Sequence, residues 1–240
     1  TLAAARLRTS TDVSLVSDVD LVIEAIVEQL PAKIELFRKL DAIIRDDAIL
    51  ASNTSSLSIN DIAQATKNPS RVIGIHFFNP VPRMPLIEVV RARQSSADAV
   101  ATAAALAGRL GKTPVICNDS PGFIVNRVLF PQLHEACRMC EEGFDIVAID
   151  EAIKQWGMPM GPFELMDEIG LDVTLFILEA FGKSIGPRLA PSAALIETVR
   201  RGDVGKKVGK GFYVHPKEKG AALQKSAPVL ELFGNTSKPI

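Results

Sequence analysis

Two apolar runs, Val72–Phe78 and Leu86–Val90, are joined by the proline-containing stretch Asn79-Pro80-Val81-Pro82-Arg83. They are too short for helices and read as buried strands, with the prolines confining the turn between them. Each run carries one ionisable side chain, His76 in the first and Glu88 in the second. A charge in such a setting costs roughly several kcal/mol unless it is paired. The simplest relief is that the two find each other. A carboxylate on one imidazole nitrogen fixes the tautomer, leaves the other nitrogen free as a base and stabilises the imidazolium formed afterwards. On these residues alone, a core histidine bonded elsewhere, with an unrelated glutamate on a strand edge, is the simpler reading.

The surrounding sequence supplies a frame. Residues Thr1–Leu7 read as the end of a helix or a lead-in, and Arg8–Ser10 as a short strand. Asp18–Ile26 is a strand by its Leu21-Val22-Ile23 core, with Glu24 and Glu28 at its carboxyl end. A helix follows from Pro31, with Ile34, Phe37, Leu40 and Ile44 at helical spacing, and Lys33 reads as a solvated residue on its surface. Ala48–Ala51 is another strand, and Ser58 with Asp61 marks a helix start. This alternation is that of a parallel α/β sheet, in which ligands bind beyond the carboxyl ends of the strands. Glu28 and the Ser52-Asn53-Thr54-Ser55-Ser56 loop fall at such ends, although a polar loop feeding a helix cap would look the same. A helix over Ala97–Leu110 and a strand over Thr113–Cys117 lead to a break at Asn118–Gly122. From Phe123 the period is helical, with helices expected over Phe123–Glu142, Ile146–Trp156, Leu171–Phe181 and Ser192–Arg201. Asn126 lies among apolar neighbours near the first of these, where its amide either bonds locally or points into a cleft between domains.

Composition narrows the function classes. The net charge of −1 and the lack of a basic stripe with interleaved aromatics argue against nucleic-acid binding. Three cysteines, Cys117, Cys137 and Cys140, speak for a reducing compartment rather than a disulfide framework. Cys137 and Cys140 have C-x-x-C spacing without a second ligand pair, so no metal site is expected. No apolar run reaches the length of about 18 residues that would suggest a membrane span. The chain opens on Thr1 without a starting Met, as a piece of a longer protein would.

Six stretches in order, SNTSSL (Ser52–Leu57), GIHFFNPVP (Gly74–Pro82), LIEVV (Leu86–Val90), DSPGFIVNR (Asp119–Arg127), GMPMGPFELMDEIGLD (Gly157–Asp172) and GKGFY (Gly209–Tyr213), resemble the 3-hydroxyacyl-CoA dehydrogenase family. The resemblance implies an α/β then all-α chain. A partial Rossmann-type NAD-binding domain would occupy residues 1–118. A helical domain like that of 6-phosphogluconate dehydrogenase would occupy 119–215, with a tail or linker over 216–240. It implies NAD as cofactor, an acyl-CoA substrate and oxidation of the 3-hydroxyl in fatty-acid β-oxidation. His76 matches the family's catalytic base and Glu88 its orienting carboxylate. Ser55 and Asn126 match residues that hold the reacting oxygen and support the histidine. Ala25, Glu28, Lys33, Asn79 and Ser55 match positions lining the nicotinamide-ribose end of the cofactor site. The chain has no G-x-G-x-x-G between a strand and a helix, and the family carries that fingerprint at a point that would precede Thr1. About two βα units, on the order of 50–70 residues, are therefore expected to be missing, and these residues alone should bind NAD poorly. The wording of GPFELMDEIGLDV also resembles the multifunctional fatty-acid oxidation proteins. The resemblance further implies a homodimer through the helical domain or assembly with a thiolase subunit, no integral membrane part, and a bacterial cytoplasmic, mitochondrial or peroxisomal setting. A non-catalytic acyl-CoA-binding or assembly module, and another NAD(P)-dependent 3-hydroxyacid dehydrogenase, are the competing readings. Four retained polar residues, and the absence of a catalytic lysine at the PGFIVNR helix start, weigh against them.

Overall fold

In the first half of the chain the alternating apolar runs become five strands and three helices. The computed structural model describes residues 4–216, 218, 222–234 and 238. They divide into two units, Thr1–Ile124 and Val125–Ile240. Part of the expected lead-in, Thr1 to Ala3, lies outside the described residues.

The first unit is a five-stranded sheet in the order β1 (Leu21–Glu24), β2 (Ile49–Ser52), β3 (Val72–Phe77), β4 (Leu86–Arg91) and β5 (Thr113–Asn118). All neighbours are parallel except β3 and β4, which pair antiparallel. The connection over residues 78–85 is too short to hold the crossover helix a parallel return would need, so the sheet is mixed. Period-2 alternation assigns the strand side chains to two faces. Leu50, Val72 and Val90 pack under α1 (Leu30–Ile43) and α2 (Ile59–Ala63), together with Phe37, Leu40, Ile59 and Ile62. Ala51, Ile73, Ile75, Ile87 and Val89 face α3 (Ala97–Arg109) through Ala99, Val100, Ala103 and Ala107. With both faces covered, the central strands read as continuous apolar runs. Capping matches the sequence: the Ser58 hydroxyl accepts from the Asp61 N–H and the Ser96 hydroxyl from Ala99. The strand expected over Arg8–Ser10 does not form; those residues are exposed and have no strand to pair with.

The second unit holds α4 (Val125–Glu141), α5 (Ile146–Trp156), α6 (Pro162–Ile169), α7 (Leu171–Ser184), α8 (Ala193–Arg200) and α9 (Ala227–Leu232). A small hairpin of β6 (Tyr213–Val214) and β7 (Gln224–Lys225) precedes α9. Where the sequence is only weakly patterned, Val229 and Phe233 are buried in the same core as Phe163, Met166 and Phe212. Residues 217, 219–221, 235–237, 239 and 240 of that stretch lie outside the described residues.

Two buried aspartates hold the hairpin to the helices. Asp167 accepts the N–H groups of Phe212 and Tyr213, each at 2.9 Å, and pairs with His215 Nε2 at 2.8 Å. Asp150 accepts the Tyr213 hydroxyl at 2.7 Å and the Phe163 N–H at 2.9 Å. The glycines of the two motifs make these contacts possible. A Cβ on Gly161 would lie 2.3 Å from the Asp150 carboxyl, and one on Gly211 would lie 2.0 Å from Asp167 Oδ1. Burial pushes the Asp150 carboxyl up to about 6, outweighing the Tyr213 hydroxyl and the backbone donors. Cys137 and Cys140 are buried in this core, and burial pushes the Cys140 thiol up to about 12.

The Asp150 shift has a definite sign. The unfolded chain ionises this carboxyl near its ordinary value, while the folded chain keeps the proton up to about 6. Its contribution is therefore most favourable below about pH 4 and is lost as pH rises to about 6, by about 3 kcal/mol. Urea unfolding of the wild-type chain and Asp150→Asn across pH 4–7 should show the difference between them drifting by about that amount in favour of Asn. A difference that stays flat with pH would show that the carboxyl is ionised throughout.

Candidate active site

His76 on β3 and Glu88 on β4 are directly opposed in the antiparallel register. Both side chains are almost wholly buried, at 6% and 1% exposure. His76 Nδ1 and Glu88 Oε2 are 2.7 Å apart. The other carboxylate oxygen, Oε1, accepts the Ile124 N–H at 2.9 Å. The strand pairing thus supplies the relief that the sequence demanded, and the reading of an unrelated core histidine is set aside. With Nδ1 committed to the carboxylate, Nε2 is the nitrogen left to act on a ligand.

Two aromatic rings fix the imidazole. Phe78 lies 4.5 Å away, centroid to centroid, in a tilted contact, and Phe123 meets the ring edge-on at 5.7 Å. Phe123 has φ 51°, in the left-handed region that a bulky residue enters only at a cost of about 1–2 kcal/mol. That conformation aims the ring of Phe123 at His76 while the next N–H, of Ile124, reaches Glu88. Strain of this kind persists where the surrounding structure over-determines it. Sequence reasoning missed Phe78, Phe123 and the Ile124 N–H; the only available signal was their position inside the HFFNP and PGFIV stretches.

A second constellation forms at the carboxyl ends of β1 and β2. Lys33 is fully buried, not solvated as its helical spacing suggests. Its ammonium lies 2.6 Å from Glu24 Oε1 and 3.4 Å from Glu28 Oε2. Glu24 is also buried and accepts the Ser52 hydroxyl at 2.6 Å and the Ile26 N–H at 2.7 Å. Glu28 remains about a third exposed, at 32%. Its Oε1 accepts the Thr54 hydroxyl at 2.5 Å and the Ser55 N–H at 2.9 Å. The Thr54 oxygen in turn accepts the Leu57 N–H, and Asn53 Oδ1 accepts the Phe77 N–H at 3.0 Å. Nearly every residue of the Ser52–Ser56 loop is therefore tied to a strand end or to Glu28, which a plain linker would not require.

Ala25 and Asn79 are exposed just past the ends of β1 and β3. Asn126 is buried in the first turn of α4, in the second unit. Glu28 and the loop hydroxyls fit the sugar end of a dinucleotide, because a carboxylate with spare lone pairs accepts from ribose hydroxyls, while the buried Lys33 stands behind Glu28 as its cation. No glycine-rich turn of the kind that cradles a pyrophosphate joins a strand to a helix in these residues. No cluster of three or more metal-ligating side chains occurs among the described residues. None of the described helices is long and apolar enough to cross a membrane.

Comparison with known proteins places most of this chain within one family. The model of the 3-hydroxyacyl-CoA dehydrogenase NAD-binding domain matches residues 2–120, and that of the same family's C-terminal domain matches residues 122–215. The mitochondrial hydroxyacyl-coenzyme A dehydrogenase of Sus scrofa is 49% identical over 210 residues, which is 85% of this chain and 67% of that protein. The fatty acid oxidation complex subunit alpha of Idiomarina loihiensis is 44% identical over 225 residues, 91% of this chain. This chain spans about a third, 31%, of the length of that protein and of the Psychrobacter subunit alpha. The crystal structure of the (S)-3-hydroxybutyryl-CoA dehydrogenase from Ralstonia eutropha superposes with a TM-score of 0.86 at 40% identity, covering 90% of this chain and 77% of that one.

Lys33→Met tests the buried ion pair. It leaves Glu24 without its cation and should cost about 3–5 kcal/mol in urea unfolding, the usual penalty for an uncompensated buried charge. A loss below about 1 kcal/mol would mean that Glu24 does not depend on Lys33. The paired His76 and Glu88, the two matched domains and the relatives over most of its length show that the chain belongs to the 3-hydroxyacyl-CoA dehydrogenase family.

Proposed function

We propose that the protein containing this chain oxidises (S)-3-hydroxyacyl-CoA to 3-oxoacyl-CoA with NAD⁺, as part of fatty-acid β-oxidation. The observation that carries this reading is the 2.7 Å contact between His76 Nδ1 and Glu88 Oε2 across two buried strands. A secondary alcohol gives up hydride readily only as its proton leaves. His76 Nε2 takes that proton, and the positive charge that develops on the ring is met by Glu88, whose two oxygens are both held in place. Proton transfer by a positioned base contributes about 10²–10⁴-fold to a rate. NAD⁺, when bound, supplies the hydride acceptor.

Ser55 is proposed to hold the reacting oxygen and Asn126 to support the histidine. Glu28, Ala25 and Asn79 are proposed to line the nicotinamide-ribose end of the cofactor site, with the buried Lys33 behind Glu28 as its counter-charge. The constellation around Glu28 supports that assignment, since it orders a polar loop around a carboxylate that still faces solvent. Assembly with a thiolase subunit, or a homodimer through the helical unit, belongs to the same reading, as does a bacterial cytoplasmic setting. The bacterial relatives named as subunits of a fatty acid oxidation complex support it.

The decisive assay follows NADH formation by the full-length protein with 3-hydroxybutyryl-CoA and a long-chain 3-hydroxyacyl-CoA. His76→Gln should lower kcat by about 10²–10⁴-fold with little change in either KM. Glu88→Gln should lower kcat by less, because the imidazole survives and only its orientation and counter-charge are lost. Full activity in both variants would remove the proposed roles.

A further inference from the structure

We propose that Glu24 is a positioning residue for this reaction, which rests on the functional reading above: through Lys33 it sets Glu28, and through Glu28 it sets the backbone at Ser55. Glu24 is too deeply buried to meet a ligand, with a side chain at 0% exposure. It nonetheless takes three donors, from Lys33, Ser52 and Ile26. A residue at a strand end that only filled space would be apolar at far lower cost.

The distances show what the carboxylate does. Lys33 sits at 2.6 Å from Glu24 and at 3.4 Å from Glu28. Glu24 therefore holds the ammonium back, and Glu28 keeps most of its charge for other partners. Glu28 directs that charge at the Thr54 hydroxyl and the Ser55 N–H through Oε1, with the carboxylate partly open to solvent. Glu24 and Ser52 are neighbours in the parallel register of β1 and β2, so the anchor is built into the sheet rather than into a loop. One cation between two carboxylates leaves the group with a net charge of −1. Without the Glu24 charge, Lys33 would move onto Glu28, neutralise it and draw it away from Ser55.

Glu24→Gln in the full-length protein keeps the shape and most of the hydrogen bonds but not the charge. Amide exchange read residue by residue should be about tenfold faster at Ser55, with the amides of β2 unchanged. KM for NAD⁺ should rise about tenfold, while KM for the 3-hydroxyacyl-CoA stays within twofold. A structural role alone would lower the active fraction or shift both KM values together. Glu24→Asp, which keeps the charge but withdraws it from Lys33 by one methylene, is the milder second variant and should move Ser55 exchange and KM for NAD⁺ the same way by about threefold. Unchanged Ser55 exchange in both variants overturns the proposal, as do KM values that stay constant or shift in parallel. A wild-type protein that forms no NADH would instead overturn the functional reading, and Ser55 exchange would still decide the role of Glu24.

Discussion

Glu88 lies buried in the interior of a sheet, and both of its oxygens are answered by groups the fold brings to it. His76 comes from the facing strand and the Ile124 N–H from the far end of the same unit. The same obligation recurs at Glu24, Asp41, Asp150 and Asp167, all of them buried. Asp41 meets Arg71 at 2.7 Å, which ties α1 to the start of β3. Each of these acids would be strongly destabilising if its partners were removed, and each is met by donors distant in sequence. The partners of these carboxylates therefore specify which elements must meet.

At the candidate active site this requirement and the chemistry coincide. Antiparallel pairing puts the acid and the base directly opposite one another, on strands that both run through the covered part of the sheet. Phe78 and Phe123 remove the ring's freedom to turn, and the left-handed backbone at Phe123 is the local cost of that restraint. The Glu24–Lys33–Glu28 group works in the same way on a polar loop. It uses buried charge to keep a partly exposed carboxylate and a backbone N–H in fixed positions.

Much of the first unit was legible in the sequence because apolar runs, prolines and caps are local signals. His76 and Glu88 could be paired for the same reason: each stood alone in an apolar strand. The antiparallel turn in the sheet followed from the length of the 78–85 connection, a signal present in the sequence but easily overridden by the expectation of a parallel α/β alternation. Lys33 was misread because helical spacing reports which side of a helix faces its core, and says nothing of two carboxylates arriving from a neighbouring strand end. Asp150 and Tyr213 are 63 positions apart, and nothing in either stretch announces the other. The conformation of Phe123 could not be inferred at all, since the residue type argues against it.

The hairpin and α9 of the second unit fill a core whose other walls are α4 to α8. Phe212 stacks edge-on against Phe163 at 4.7 Å and meets Phe233 at 5.1 Å, so the middle of this core draws on residues encoded after α8. As the chain leaves the ribosome, the helices emerge with their apolar faces uncovered. They stay so until residues near Phe233 have been translated. The core of this unit therefore closes only once residues near Phe233 are available, however early its helices form.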